Sequence, residues 1–154
     1  MNEKTATVLW TRSGKSGHGQ VSTETGALTH YPYSLGSRVD QRQPGTNPEE
    51  LLAAAHAACF TMAFSFACEK AGFRTEKVET QALVSLSPQG VGFFIDRIML
   101  HLKAVVPGMP EGRFQEIALT AKRNCPLSQA LAGVPEIGLL AKLEDVQFRQ
   151  DALP

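Results

Sequence analysis

The chain has 154 residues, 43% of them hydrophobic and 19% charged, with 15 basic and 15 acidic side chains and no formal net charge. That length and composition give a single folded domain over residues 1–154 with a sizeable core, and exclude a disordered chain. Without a basic excess there is no face for nucleic acid or an anionic membrane. No apolar leader follows Met1, so the three cysteines are read as cytoplasmic thiols and not as a disulfide framework.

In chain order, residues 5–11 read as a first strand, 13–19 as a glycine-rich turn, and 20–30 as a segment pairing back on the first. Residues 31–43, with Pro32 and Gly36, read as an ordered loop or short strand carrying Arg38; Pro44-Gly45 is a turn. The clearest element is a long helix. Asn47 is its N-cap, Pro48 its first residue, and Glu50 falls third, completing a capping-box pattern. It is expected to reach about Ala71 and to stop at Gly72. Residues 51–68 are apolar enough to suggest a membrane span, but His56, Thr61, Ser65, the many alanines and the flanking acids favour a buried central helix. Strands are expected over 76–87 and 91–105, joined by a turn at 87–90. A second helix spans about 111–123, with Phe114, Ile117, Ala118 and Ala121 on one face. Pro126 opens a short helix ending near Gly133, and a last strand lies within 136–147; the tail after Glu144 has no assignable role. Strands, helices and strands again, without βαβ regularity, define an α+β class.

Chemistry centres on the thiols. On the long helix, Cys59 shares a face with Leu52, Ala55, His56, Met62, Ala63 and Phe66. Taken alone, a cysteine among alanines and phenylalanines is a small core hydrophobe. Cys125 stands at the N-cap of the helix opened by Pro126, where the helix dipole lowers a thiol's pKa. Cys68 is nine residues beyond Cys59 and therefore about 180° around the helix, so it reads as structural. Glu49 is free to pair with a distant cation, for which Arg38 is the candidate. His56, with Cys59 and Cys125, also permits a zinc site, although H-x-x-C lacks the paired spacing of established zinc motifs.

The capped helix T-N-P-E-E-L-L-A-A-A-H-A-A-C-F, followed by N-C-P-L-S, closely resembles the OsmC/Ohr family: osmotically inducible protein C and the organic hydroperoxide resistance proteins. The likeness extends through Gly17-His18-Gly19, the loop from Tyr33 to Arg38, and Val106-Pro107-Gly108. The histidine and alanines before Cys59 favour the OsmC branch. This resemblance implies antiparallel sheets wrapped around two central helices in an intertwined homodimer. It also implies a stress-related thiol peroxidase that reduces organic hydroperoxides to alcohols. Cys59 would attack the peroxide and become a sulfenic acid, and Cys125 would resolve it as an internal disulfide. A small dithiol or lipoyl-type reductant would then restore both thiols, with no metal, flavin or haem. Arg38 would hold Cys59 as thiolate, and Glu49 would position Arg38.

The residues bear on these implications independently. A buried thiol needs a cation in order to ionise. Phe60, Met62, Phe64, Phe66, Phe93 and Phe94 would reward an alkyl peroxide over hydrogen peroxide. Glu49 and Cys59 are ten residues apart, about 15 Å along a straight helix. Arg38 and Glu49 are therefore expected to reach Cys59 from a partner subunit, unless the helix breaks between them. The competing readings are a non-catalytic redox sensor or thiol-ligand carrier and, third, a zinc protein.

Overall fold

A computed structural model describes residues 2–146, and Gln147 and the tail beyond it lie outside those described. The chain divides between Leu51 and Leu52 into two compact units.

In the first unit, β1 (Ala6–Thr11), β2 (His18–Thr23) and β3 (Tyr31–Ser34) form an antiparallel sheet in the order β1-β2-β3. Opposite Tyr33 on β3 stands Gly19 on β2, and a Cβ on that glycine would lie 2.1 Å from the tyrosine ring. The missing side chain lets Tyr33 lie across the strand and meet Trp10 with ring centroids 5.3 Å apart. Arg38 is not on a loop or strand as expected but in a one-turn helix, α1 (Leu35–Val39). A reciprocal Ser34–Ser37 capping box closes that turn. Five residues are too few to show an apolar period, so the Ser-x-x-Ser spacing was its only sequence signal.

The long helix α2 runs unbroken from Pro48 to Lys70, which removes the break considered above. Asn47 caps it as expected, its Oδ1 accepting from the Glu50 amide at 2.8 Å. The capping box is only half present, because the Glu50 carboxylate accepts from the Thr46 hydroxyl at 2.7 Å. Gly72, at φ +86°, ends the helix, and the Phe73 amide returns to the Cys68 carbonyl.

The second unit holds most of α2, then β4 (Lys77–Gln89), β5 (Gly92–Val105), α3 (Glu111–Asn124), α4 (Pro126–Ala130) and β6 (Glu136–Glu144). The β4–β5 hairpin turns at Gly90, with φ +57°, and not over Ser87-Pro88, which are still paired with Phe94 and Phe93. The sheet order is β4-β5-β6. β6 lies parallel to β5, because two helices intervene and carry the chain back before it enters the sheet, so this sheet is mixed and not wholly antiparallel. Alternate residues of β5 (Ile98, Leu100, Leu102 and Ala104) are buried, the period-two pattern of a half-covered strand. Against Leu100, Leu102 and Ala104 pack Phe60 and Phe64 of α2 and Phe114, Ile117, Ala118 and Ala121 of α3. Burying each such phenylalanine stabilises the unit by roughly 1.5–3 kcal/mol.

The buried stripe of α2 is His56, Phe60, Phe64 and Cys68. Steps of four residues drift by about 40° each. The side facing the core therefore rotates along the helix, and Cys59 at its middle and Cys68 near its C-terminal end both meet the same core, despite pointing about 180° apart. Met62 and Phe66, expected beside Cys59, are instead 60% and 63% exposed, and Ala54, Ala55 and Ala58 are exposed with them. By length and composition α2 could cross a bilayer, with a mean hydropathy of 1.7, and only 22% of its apolar window is buried.

Candidate active site

The expected site residues form two pairs, one in each unit. In the first unit, the Arg38 guanidinium grips the Glu49 carboxylate: Nε donates to both oxygens at 3.1 Å, and Nη2 donates to Oε1. Glu49 sits in the first turn of α2 with its side chain 12% exposed, while that of Arg38 is 34% exposed. Donating to the Glu49 carboxylate raises the arginine's pKa, so it stays charged. Arg38 also lines a small open cleft of about 160 Å³ with Trp10, Tyr33, Leu35 and Pro48, so an apolar wall stands beside the cation.

In the second unit, α2 presents Cys59 and the α3–α4 junction presents Cys125. The two sulfurs are 3.3 Å apart, with the Cys125 thiol donating to Cys59. Cys125 is fully buried, whereas Cys59 is partly exposed. Cys125 is both the C-cap of α3 and the N-cap of α4, with Pro126 at the first helical position, as the sequence predicts. Its sulfur, however, makes no capping hydrogen bond. The helix start acts instead on the other thiol. Burial raises the pKa of Cys59, and the backbone amide of Leu127, in the first turn of α4, opposes that rise. The neighbouring Cys125 raises it further, because two thiols at this distance share a proton before either releases a second.

The remaining candidates are disposed as follows. Cys68 is wholly buried and its thiol is pushed up to about 11, which leaves it inert at neutral pH. His56 is wholly buried, its Nε2 lies 2.8 Å from Ser128 Oγ, and burial lowers its pKa. Among the described residues no three His, Cys, Asp or Glu side chains are grouped to hold a metal ion. Phe60 and Phe64 are wholly buried core residues, while Phe93 is 56% exposed near the hairpin tip. Sequence reasoning missed Ser128 and the Leu127 amide. Ser128 could have been found, since a histidine on an apolar helix needs a polar partner.

The second unit thus sets a partly open thiol beside a buried one, apart from the inert Cys68. The family model described as OsmC-like protein matches residues 40–139. The chain is 45% identical over 122 residues to the peroxiredoxin OsmC of Escherichia coli (strain K12), covering 79% of this chain and 85% of that protein. It is 36% identical over 98 residues to the organic hydroperoxide resistance protein of Xanthomonas axonopodis pv. citri, covering 62% and 66% of the two chains. The crystal structure of the organic hydroperoxide resistance protein OhrB of Bacillus subtilis superposes with a TM-score of 0.67 at 29% identity, covering 90% of this chain and 98% of that one. This chain belongs to the OsmC-like protein family.

Proposed function

We propose that this protein is a cysteine-based peroxidase that detoxifies organic hydroperoxides. The observation carrying the reading is the thiol pair, with sulfurs 3.3 Å apart and only one of them reachable. A peroxide must meet sulfur along the O–O axis, so the partly exposed Cys59 attacks and the buried Cys125 waits. The Cys59 thiolate bonds to the distal oxygen as the O–O bond breaks; the alcohol leaves, taking a proton, and Cys59 becomes a sulfenic acid. Cys125 then attacks that sulfur, expelling water and forming the disulfide. A dithiol of the dihydrolipoyl type reduces it by exchange and restores both thiols.

Ionisation of Cys59 has to overcome its burial. The Leu127 amide supplies part of what is needed, and we assign the rest to Arg38, oriented by Glu49. Because α2 is continuous, Glu49 lies about 15 Å along the helix from Cys59. Arg38 and Glu49 therefore come from a second copy. The exposed apolar face of α2, from Ala55 through Met62 to Phe66, supports this reading, since a helix that apolar calls for a partner. Both units then act as one domain of an intertwined, cytoplasmic homodimer.

One equivalent of cumene hydroperoxide, added to reduced protein and followed by non-reducing peptide mapping, tests the reading. A Cys59–Cys125 crosslink with Cys68 free is expected. Unreacted thiols, or indiscriminate oxidation of all three, would overturn it.

A further inference from the structure

The mechanism above leaves unused the hydrogen bond between the buried His56 ring and Ser128. We propose that His56 and Ser128 are positioning residues whose hydrogen bond holds α4 against α2, and so sets both the Leu127 amide and the Cys125 thiol on Cys59. The proposal deepens the peroxidase reading and rests on it for the condensation step.

Four observations carry it. First, α4 is only five residues long and contributes no buried residue, so apolar packing alone fixes it poorly; Leu127 is merely half-buried against the core. Second, the helix starts at Cys125 and Pro126, so any swing of its axis moves the sulfur and the Leu127 amide together. Third, His56 precedes Cys59 by three residues on α2, and its ring is 0% exposed, which makes it a rigid anchor one turn from the attacking sulfur. Fourth, the 2.8 Å bond from His56 to Ser128 is, apart from the thiol pair, the one hydrogen bond between side chains that joins α4 to α2 among the described residues.

The ring's protonation follows from its surroundings. Nδ1 is buried without a partner. An orphaned buried N–H is rarer than an under-used acceptor, so Nδ1 is the bare nitrogen and Nε2–H donates to Ser128 Oγ. Burial disfavours the imidazolium and keeps this tautomer neutral. The bond is thus a permanent neutral tie and not a proton relay.

Its importance lies in the second half of the cycle. As the S–S bond forms, the S–O bond of the Cys59 sulfenic acid breaks. The hydroxyl leaves as water with the proton that Cys125 gives up. The sulfurs must close from 3.3 Å to about 2.0 Å, a movement that α4 has to permit without losing aim.

The test compares Ser128→Ala with Ser128→Thr, and Ser128→Val as an isostere of the latter. Ser128 is half-buried at the surface, so none of these opens the core. Two quantities are read. The pH midpoint for alkylation of Cys59, in a Cys125→Ser background, should rise by about one unit in the alanine and valine variants and stay put in threonine. The rate of disulfide formation after one equivalent of peroxide, with Cys125 intact, should fall about tenfold in the same two variants and not in threonine. Wild-type values in alanine and valine, or equal impairment of all three variants, would overturn the proposal. Alkylation involves no peroxide. If wild-type protein forms no Cys59–Cys125 disulfide, the peroxidase reading fails while the alkylation midpoints still decide whether the tie positions α4.

Discussion

Replacing Cys125 by serine keeps the size of the side chain and removes the sulfur proposed to resolve Cys59, so it isolates the proposed condensation step. In the native protein that sulfur is 3.3 Å from Cys59, within the range of a near-attack arrangement. Well-aligned groups at such distances reach effective molarities of roughly 10⁵ M or more. A thousandfold discount for imperfect alignment leaves about 100 M, which exceeds about 1 mM of an external dithiol by roughly 10⁵-fold. Sulfenic acid on wild-type protein should therefore vanish into the disulfide before any added trap can compete. The serine variant should release one equivalent of alcohol in a single burst and keep a sulfenic acid that a dimedone-type trap captures nearly stoichiometrically. Mass spectrometry of the Cys59 peptide reads both states. Repeated turnover by the variant at the wild-type rate, or trapping equally efficient in both proteins, would refute the reasoning.

Other perturbations separate packing from chemistry. Phe64→Ala should cost about 4 kcal/mol by denaturant unfolding, because Phe64 is wholly buried and meets Phe114 edge-to-face at 5.6 Å; a loss near 1 kcal/mol would mean that the core refills. Cys68→Ala should change alkaline stability but not turnover. The native thiol is raised from 9.0 to about 11, so its contribution is whole below pH 9 and is lost as pH rises through 11, the unfolded chain ionising first. The alanine variant should flatten that decline in thermal midpoint. Arg38→Met should lower kcat/KM for the hydroperoxide about 100-fold, as loss of one preorganised charged donor does, and move the rate profile to higher pH. An unchanged profile would remove Arg38 from the ionisation of Cys59.

Local chemistry was legible in the sequence, and distance was not. Asn47 and Pro48 announced the start of α2 and Gly72 its end, because each fixes backbone geometry by itself. Pro126 likewise located α4 and its N-cap. The period-two run of β5 gave the strand, while the parallel placement of β6 depends on how two helices return the chain, which no local pattern records. The sulfur pairing needed the fold too. Helix-start reasoning pointed the dipole of α4 at Cys125, yet that sulfur makes no capping hydrogen bond, and it is the Cys59 thiol whose pKa the Leu127 amide lowers. Met62 and Phe66 were placed beside Cys59 by a straight helical wheel. The stripe of four-residue steps from His56 to Cys68 rotates the core side away from them.

The Arg38–Glu49 pair has a consequence for where this chemistry can occur. Bound to its carboxylate through Nε and Nη2, the guanidinium forms a pair with almost no net charge, and among the described residues Nη1 has no hydrogen-bond partner. A neutral pair acts as a dipole, whose field fades faster with distance than that of a lone cation. It can therefore favour the Cys59 thiolate only at hydrogen-bond range. In the proposed dimer that range exists only when two chains are assembled, so a dissociated chain should hold Cys59 protonated by its burial. Specific activity should accordingly fall on dilution in step with the loss of dimer seen by analytical ultracentrifugation, and the Cys59 alkylation midpoint should rise over the same concentrations. A monomer of full activity would place the cation within a single chain and defeat this account.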